Sequence, residues 1–256
     1  MFNIGYDLYR WCRLRCFLCY HAFMKLIFAL GNPEPEFTHT RHNVGKDILN
    51  QYTQAYFSDY SWEFKKKFKS ELIFTSKPRA SHNSFLKEIK ELFFNQKESH
   101  DQYMGGINNM GEQQYSHTTK IKPVEAILAK PTSYMNEVGI PLQKIATFYK
   151  IQPEDILIIY DELDLLVGEY KLIQGRGSRI HNGVKSVNSS IKNANKIWHL
   201  KIGVRDENIG PSVQKSGRDP KKYVLAKLPM TDKKKISKLA EESIFNDLNQ
   251  WLSKKD

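Results

Sequence analysis

The sequence predicts one α/β domain in which a single mixed, mainly parallel sheet lies between two layers of helices. Two observations support this three-layer α/β/α fold class. Short apolar segments alternate along the chain with segments whose apolar residues recur at helical spacing. One apolar segment, ILIIY at 156–160, has no polar residue before its tyrosine, which is typical of a strand buried on both faces. The length of 256 residues suits one large domain.

The predicted elements follow one another in a regular order. Strands are expected at 25–30, 62–68, 71–75, 124–129, 156–160, 170–174 and 197–204. The first helix is expected from an apolar stripe at Val44, Ile48, Tyr52 and Tyr56. Further helices are expected at 136–149 and 183–192, and from 232 towards the end of the chain, where apolar residues recur at helical spacing.

The chain is basic, because 39 lysines and arginines exceed 28 aspartates and glutamates and give a net charge of +11. Such a charge favours a nucleic-acid partner only where it concentrates on one face of the molecule. A hydrophobic content of 40% excludes a wholly disordered chain. No apolar run approaches the ~18 residues of a membrane span, so no membrane association is predicted.

Residues 1–23 are predicted to be an extension that precedes a domain at 24–256. The extension carries Arg10, Arg13 and Arg15 beside one acidic residue, as organelle-targeting peptides do, but it has no serine. Two interpretations stay open: a targeting segment, and a dispensable or misassigned start with translation from Met24. We therefore expect a cytoplasmic protein, or a mitochondrial or plastid protein if the extension is a targeting segment.

All three cysteines, Cys12, Cys16 and Cys19, lie in this extension. Their spacing is that of three-cysteine iron–sulfur sites. They precede the first strand, however, and no strand–helix barrel for that chemistry follows, so a cluster is disfavoured. The thiol-free domain argues against a fold that depends on disulfides.

Residues 77–120 are rich in serine, histidine, asparagine, glutamine and lysine and are predicted to be a low-complexity insertion. Within them, Phe85, Ile89, Leu92 and Phe93 recur at helical spacing and favour a short amphipathic helix. An accessory surface for RNA or for a partner and an expansion without function are both compatible with this composition.

Polar residues suited to catalysis collect where the predicted strands end. Asn32 follows the first strand, His42 lies just before the first helix, Asp161 follows ILIIY, and His181 and Asn182 follow a glycine-containing loop. The fourth strand is followed by Tyr134, Met135 and Asn136. Ligands of α/β sheets bind at this edge. A histidine oriented by a carboxylate is the minimal general-base unit, so the pattern predicts hydrolysis.

A metal site of His42, Asp161 and His181 is the competing interpretation of the same residues. No His-x-x-x-His pair supports it, and the neighbouring asparagines are poor zinc ligands. Covalent catalysis is disfavoured because the domain has no Gly-x-Ser-x-Gly motif and no cysteine. We therefore predict neither a metal nor an organic cofactor.

Five ordered parts of the sequence stand out as motifs: LGNP at 30–33 with TRHNVG at 40–45, KPTSYMN at 130–136, DELDL at 161–165, HNGVK at 181–185 and VLAK at 224–227. Together they resemble the signature segments of the bacterial-type peptidyl-tRNA hydrolase family. The resemblance runs from about residue 24 to the C-terminal helix, apart from the insertion. It implies a monomer without an obligate protein partner, whose partner is peptidyl-tRNA.

The resemblance implies hydrolysis of the ester that joins a peptide to the 3′ ribose of tRNA, which recycles tRNA from aborted translation. His42 would activate water, and Asp161 would orient and stabilise the imidazole of His42. Asn32 would sense the peptide. The substrate would be bound by Phe37, Tyr134, Met135, Asn136, His181 and Asn182. Phosphate contacts are expected from Arg176, Arg179, Lys201 and Arg205, and from the lysines near Lys221 and Lys222. Aromatic faces stack on unpaired bases, which suits Phe37 and Tyr134.

The loop before His181 departs from the family. It reads GRGSRI at 175–180, and Arg179 and Ile180 stand where the family has paired glycines. Ile180 would be strained if its position required a positive φ. The alternative function is therefore a non-catalytic relative of the same fold that binds RNA.

Overall fold

A computed structural model describes residues 24–75, 125–210, 213 and 216–254. The predicted extension at 1–23 and the predicted insertion at 77–120 lie outside the described residues.

The described residues contain a seven-stranded sheet whose order is β2-β3-β4-β1-β5-β7-β6. The strands are β1 Lys25–Ala29, β2 Glu63–Lys65, β3 Ser70–Phe74, β4 Ala126–Pro131, β5 Ile156–Leu166, β6 Tyr170–Gln174 and β7 Trp198–Arg205. Four central strands, β4, β1, β5 and β7, are parallel, and β3 and β6 run against them. The mixed, mainly parallel sheet predicted from the sequence is confirmed.

Helices cover both faces of this sheet. They are α1 Val44–Tyr56, α2 Gly139–Tyr149, α3 Asn182–Ser190, α4 Pro220–Leu225, α5 Met230–Leu239 and α6 Phe245–Ser253. A π-helical segment, Ala240–Ile244, joins α5 to α6, and short 3-10 turns lie at Arg41–Asn43 and Met135–Glu137. None of the helices among the described residues has the length and apolar character needed to cross a membrane.

Successive residues of the central strands supply two separate cores, because side chains alternate between the faces of a sheet. Ile27 and Ala29 of β1 pack with α1, α5 and α6, whereas Leu26 and Phe28 pack with α2 and α3. Every residue of β1 is buried, as expected for a strand covered on both faces. The three-layer arrangement therefore follows from the apolar segments that predicted it.

The structure differs from the sequence-based prediction in several places. The strand expected at 156–160 continues to Leu166, because β5 keeps pairing with β7 beyond the point where β1 ends. Tyr56, the last residue of the predicted apolar stripe, is 43% exposed at the end of α1. The short helix α4 was predicted only as a segment resembling the family.

A close backbone approach fixes the start of α1 against the sheet. A Cβ atom added at Gly45 would lie 2.4 Å from the carbonyl oxygen of Ile159 in β5, a distance that real Cβ atoms do not show. The 3-10 turn that carries His42 immediately precedes this contact. Gly45 therefore sets the distance between His42 and the residues that follow Ile159.

Gly45→Ala is expected to lower the free energy of unfolding by about 1–3 kcal/mol, because the new methyl group must push α1 away from β5. Urea denaturation measures the change. Gln54→Ala, at an exposed position of the same helix, is the matched control and should change it by less than about 0.5 kcal/mol. Equal stabilities of the two variants would show that the approach is not tight.

Candidate active site

A cleft of about 660 Å³ opens at the carboxyl edge of the sheet. The predicted catalytic and substrate-binding residues all line it: Asn32, Phe37, His42, Tyr134, Met135, Asn136, Asp161, His181 and Asn182. The rest of the lining is Glu162, Leu163, Ser178, Ile180, Asp219, Pro220, Lys221, Val224 and Leu225. Residues from distant parts of the sequence are thus brought into one depression.

One carboxylate oxygen joins the two histidines of the cleft. Asp161 Oδ1 lies 2.8 Å from His42 Nδ1 and 2.9 Å from His181 Nε2. The Nδ1 atom of His181 accepts a hydrogen bond from the Val184 backbone N–H at 3.2 Å, so its proton is on Nε2 and is donated to Asp161. His42 likewise donates from Nδ1. Its Nε2 atom then carries a lone pair on the side away from Asp161.

The charge of Asp161 depends on these two imidazoles. Burial alone would raise the pKa of this carboxyl group, but His42 and His181 hold it well below its ordinary value. The second oxygen, Oδ2, is buried and has no hydrogen-bond partner among the described residues. Asp161 is therefore a carboxylate whose hydrogen bonds within the described protein serve the two histidines.

Local structure explains how these residues meet. β1 pairs with β5 as far as Ala29 and Ile159, so Asp161, two residues further along β5, lies past the end of β1. His42 occupies the 3-10 turn that leads into α1. His181 is the N-cap residue of α3, and its ring accepts the hydrogen bond that caps the helix. The cap and the pairing with Asp161 use opposite ring nitrogens.

Asn32 is held by four hydrogen bonds. Its backbone N–H donates to Asn43 Oδ1 at 2.9 Å, and its carbonyl oxygen accepts from Asn43 Nδ2 at 3.1 Å and from Lys46 Nζ at 2.7 Å. Its side-chain oxygen accepts from the Met135 N–H at 2.8 Å. The side-chain NH₂ group is thereby left to donate towards the cleft.

The rim of the cleft combines aromatic rings and amides. Phe37 and Tyr134 meet edge to face with ring centroids 6.4 Å apart, and Tyr134 is exposed. Asn136 and Asn182 are exposed at the start of α2 and α3, on the 3-10 turn and the first helical residue respectively. Such a rim can stack on an unpaired base and bind polar groups of an extended ligand.

The loop at 175–180 avoids the strain considered from the sequence. Positive φ angles occur at Gly175 and Gly177, at 147° and 69°, and neither Arg179 nor Ile180 has one. The Ser178 N–H donates to Tyr160 Oη at 3.1 Å, and the Gly175 carbonyl accepts from His199 Nε2 at 2.7 Å. Burial lowers the pKa of His199 to about 4, so its ring is neutral at neutral pH. The loop is therefore fixed by two buried side chains.

Four of the expected phosphate contacts fall into two groups, apart from the lysines at 221 and 222, of which Lys221 lines the cleft. Arg176 and Arg179 are exposed on this loop. Lys201 instead forms an ion pair with the buried Glu162 at 3.1 Å, and Arg205 donates to the backbone carbonyls of Leu163 and Gly210. The first pair is accessible to a polyanion, whereas the second pair is bound within the protein.

Several residues that shape the site were not predicted as functional. Asn43 and Lys46 hold Asn32, Tyr160 and His199 hold the loop, and α4 closes one wall of the cleft. Asn43 stands beside His42 in the sequence, which is a signal that could have been used. Lys46 and His199 carry no such signal, because a single charged or polar residue within an element is usually exposed.

The competing metal interpretation is tested by the donor atoms. Possible ligand atoms of His42, Asp161 and His181 lie within 4.8 Å of one another. Both ring nitrogens next to Asp161 carry protons that they donate to it, however, and the other nitrogen of His181 caps α3. A metal ion would have to replace both protons. The donor set fits a hydrogen-bonded general base better than a metal centre.

Known proteins resemble this chain along most of its length. The model of the family described as "Peptidyl-tRNA hydrolase" matches residues 26–96 and 100–256. The chain is 32% identical over 223 residues to the peptidyl-tRNA hydrolase of Marinomonas sp. (strain MWYL1), which covers 87% of this chain and 88% of that protein. It is 30% identical over 221 residues to that of Pectobacterium atrosepticum, with 86% of each chain covered.

The fold has solved counterparts. The crystal structure of peptidyl-tRNA hydrolase from Acinetobacter baumannii superimposes with a TM-score of 0.57 and 24% identity, over 91% of this chain and 97% of that one. This likeness concerns the fold, and the sequence matches carry the assignment. The chain belongs to the peptidyl-tRNA hydrolase family.

Proposed function

We propose that the cleft hydrolyses the ester bond between peptide and tRNA, with His42 as the general base that activates water. Membership of the family supports this reaction over a non-catalytic RNA-binding role. The observation that carries the assignment of His42 is its 2.8 Å hydrogen bond from Nδ1 to Asp161, which leaves Nε2 as the proton acceptor. An imidazole is also the side chain suited to this task near neutral pH.

The reaction needs one proton to move twice. A water molecule gives a proton to His42 Nε2 while its oxygen attacks the ester carbonyl carbon. The tetrahedral intermediate then expels the ribose oxygen, which takes the proton from His42. The products are a peptide with a free carboxyl group and tRNA with a free terminal hydroxyl. Asp161 stabilises the charged imidazole between the two steps.

The surrounding residues bind the two halves of the substrate. The NH₂ groups of Asn32, Asn136 and Asn182 can donate to peptide carbonyls or to the developing oxyanion. Phe37 and Tyr134 offer ring faces to the terminal bases of tRNA. Arg176 and Arg179 can contact phosphates.

Other features of the protein stay predictions. We expect a monomer that acts without an obligate protein partner. We expect a cytoplasmic location, or a mitochondrial or plastid one if residues 1–23 act as a targeting segment. Neither a metal nor an organic cofactor takes part in the proposed steps.

His42→Ala is expected to lower kcat by roughly 10²–10⁴-fold, because the general base is lost. The assay measures the release of free tRNA from an N-acetylated aminoacyl-tRNA, with and without a chelator. Addition of the chelator should not change the rate. The matched control is His39→Ala, because His39 pairs with Asp47 outside the cleft. Unchanged turnover in a folded His42→Ala protein would contradict the proposal.

Asp161→Asn keeps the size of the side chain but removes its charge. The positively charged imidazole that forms during the reaction then loses its partner, and kcat should fall by about 10²-fold or more. Single-turnover rates measure the effect on chemistry. Asp47→Asn alters the His39–Asp47 pair instead and should leave the rate unchanged. Similar rates in the two variants would mean that Asp161 only supports the structure.

Arg179→Glu is expected to weaken tRNA binding and to reduce the slope of log affinity against log salt by about 1, if Arg179 contacts a phosphate. Filter binding at several salt concentrations measures both. Lys66→Glu makes the same change of charge next to β2, at the opposite edge of the sheet. Equal losses for the two variants would indicate a general effect of net charge.

A further inference from the structure

A buried lysine lies behind the active-site turn. Lys46, in the first turn of α1, is only 3% exposed and is not part of the cleft lining. Its ammonium group donates to the carbonyl oxygen of Asn32 at 2.7 Å, a short and charge-assisted hydrogen bond. Lys46 thus reaches the active site through the backbone of Asn32.

The turn is shaped to admit this side chain. A Cβ atom at Gly31 would lie 2.8 Å from the Cδ and Cε atoms of Lys46, so the lysine chain passes directly over the glycine. Asn43 binds both the N–H and the carbonyl oxygen of Asn32, and Lys46 adds a second donor to that oxygen. These contacts fix the backbone of Asn32, and the fixed backbone directs the NH₂ group of its side chain towards the cleft.

The position of Lys46 is unfavourable for folding. Burial lowers the pKa of Lys46 from its ordinary value to about 8, although the nearby carboxylates Glu34, Glu71 and Asp47 oppose that shift. Lys130 is the other cation that acts on it and favours the neutral form. A cation in the first turn of a helix also opposes the helix dipole. Two separate costs therefore accompany one hydrogen bond to a backbone carbonyl.

We propose that Lys46 is a positioning residue of the active site, which in its charged form fixes Asn32 in the geometry that the substrate requires. The proposal rests on the function proposed above, in which the amide of Asn32 contacts the peptide. Lys46 itself touches neither the substrate nor the reacting atoms. Its contribution is made through the carbonyl group of Asn32.

The protonation of Lys46 gives this role a distinct pH dependence. Activity should decline on the alkaline side as the ammonium loses its proton near pH 8, because an uncharged amine is a weaker donor. The effect on stability has the opposite sign. The unfolded chain binds more protons between about pH 8 and pH 10.4, so the contribution of Lys46 to the free energy of unfolding rises with pH there.

The test compares wild type, Lys46→Met and Lys46→Arg. It measures the release of tRNA from an N-acetylated aminoacyl-tRNA between about pH 6.5 and about pH 9.5. Spontaneous hydrolysis of the ester is subtracted at each pH. We expect Lys46→Met to lower kcat about tenfold at neutral pH, with KM little changed, and to lack the alkaline decline. Its thermal midpoint at neutral pH should equal or exceed that of wild type. Lys46→Arg should keep its charge and hence its activity at the alkaline end.

Lys25→Met is the matched control. Lys25 is also buried and also donates to a backbone carbonyl, that of Trp251, at 2.8 Å, but this contact lies at the other end of β1. Lys25→Met should leave kcat and the pH profile unchanged. A comparable loss of kcat in Lys25→Met would mean that any buried lysine has this effect, and the proposal would be wrong.

The remaining outcomes are distinct. Wild-type kcat in Lys46→Met, or an alkaline decline in Lys46→Arg that superimposes on that of wild type, overturns the positioning role. If Lys46→Met does not fold, the profiles of wild type and Lys46→Arg decide alone. Failure of the proposed function is recognised separately, because wild type would then release no tRNA, or His42→Ala would retain turnover, whatever the Lys46 variants do.

Discussion

The geometry of the site depends on one oxygen atom, Oδ1 of Asp161, which accepts hydrogen bonds from two imidazoles. A buried carboxylate is costly unless donors surround it, and here the donors come from the start of α1 and the start of α3. Both helices must therefore reach the same point on β5. Gly45 allows this on one face of the sheet, where α1 touches the backbone of Ile159. The hydrogen bonds that stabilise the charged Asp161 therefore also hold His42 in place as the base.

Both histidines donate a hydrogen bond to Asp161, but they differ in what the other ring nitrogen does. His181 uses its second nitrogen to cap α3, so it has no lone pair to offer a substrate. His42 sits in a 3-10 turn and keeps its second nitrogen available on the cleft side. The distinction between base and support follows from secondary structure, since the ring of His181 caps the N-terminus of α3, whereas the ring of His42 lies in a 3-10 turn and caps no helix. His181 then serves to hold the charge and the orientation of Asp161.

The sequence predicted the fold and the composition of the cleft well, for one physical reason. A short apolar run rich in β-branched residues, such as ILIIY, favours a strand buried on both faces, and polar residues that follow parallel strands collect at one edge of the sheet. The supporting residues could not be predicted in this way. Lys46 stands two residues from Val44 and Ile48, on the side of the helix that periodicity assigns to solvent, and the turn at Gly31 buries it. The extension of β5 past Tyr160 was missed because DELDL is rich in acidic residues, which are depleted in strands, and its pairing with β7 decides the structure there.

The loop at 175–180 shows how a departure from the family pattern is accommodated. Two positions that usually hold glycine carry Arg179 and Ile180, yet the positive φ angles are confined to Gly175 and Gly177. Gly177 has no room for a side chain, since a Cβ atom there would lie 2.4 Å from the ring of His199. The buried side chains Tyr160 and His199 bind Ser178 and Gly175, and the residues after Ser178 enter α3 in ordinary backbone geometry. Gly177 is the loop glycine that is packed against a buried ring, whereas a Cβ atom at Gly175 would meet nothing within 4 Å. The side chains of Arg179 and Ile180 are exposed. Ile180, 49% exposed in the cleft wall, adds apolar surface to the cleft.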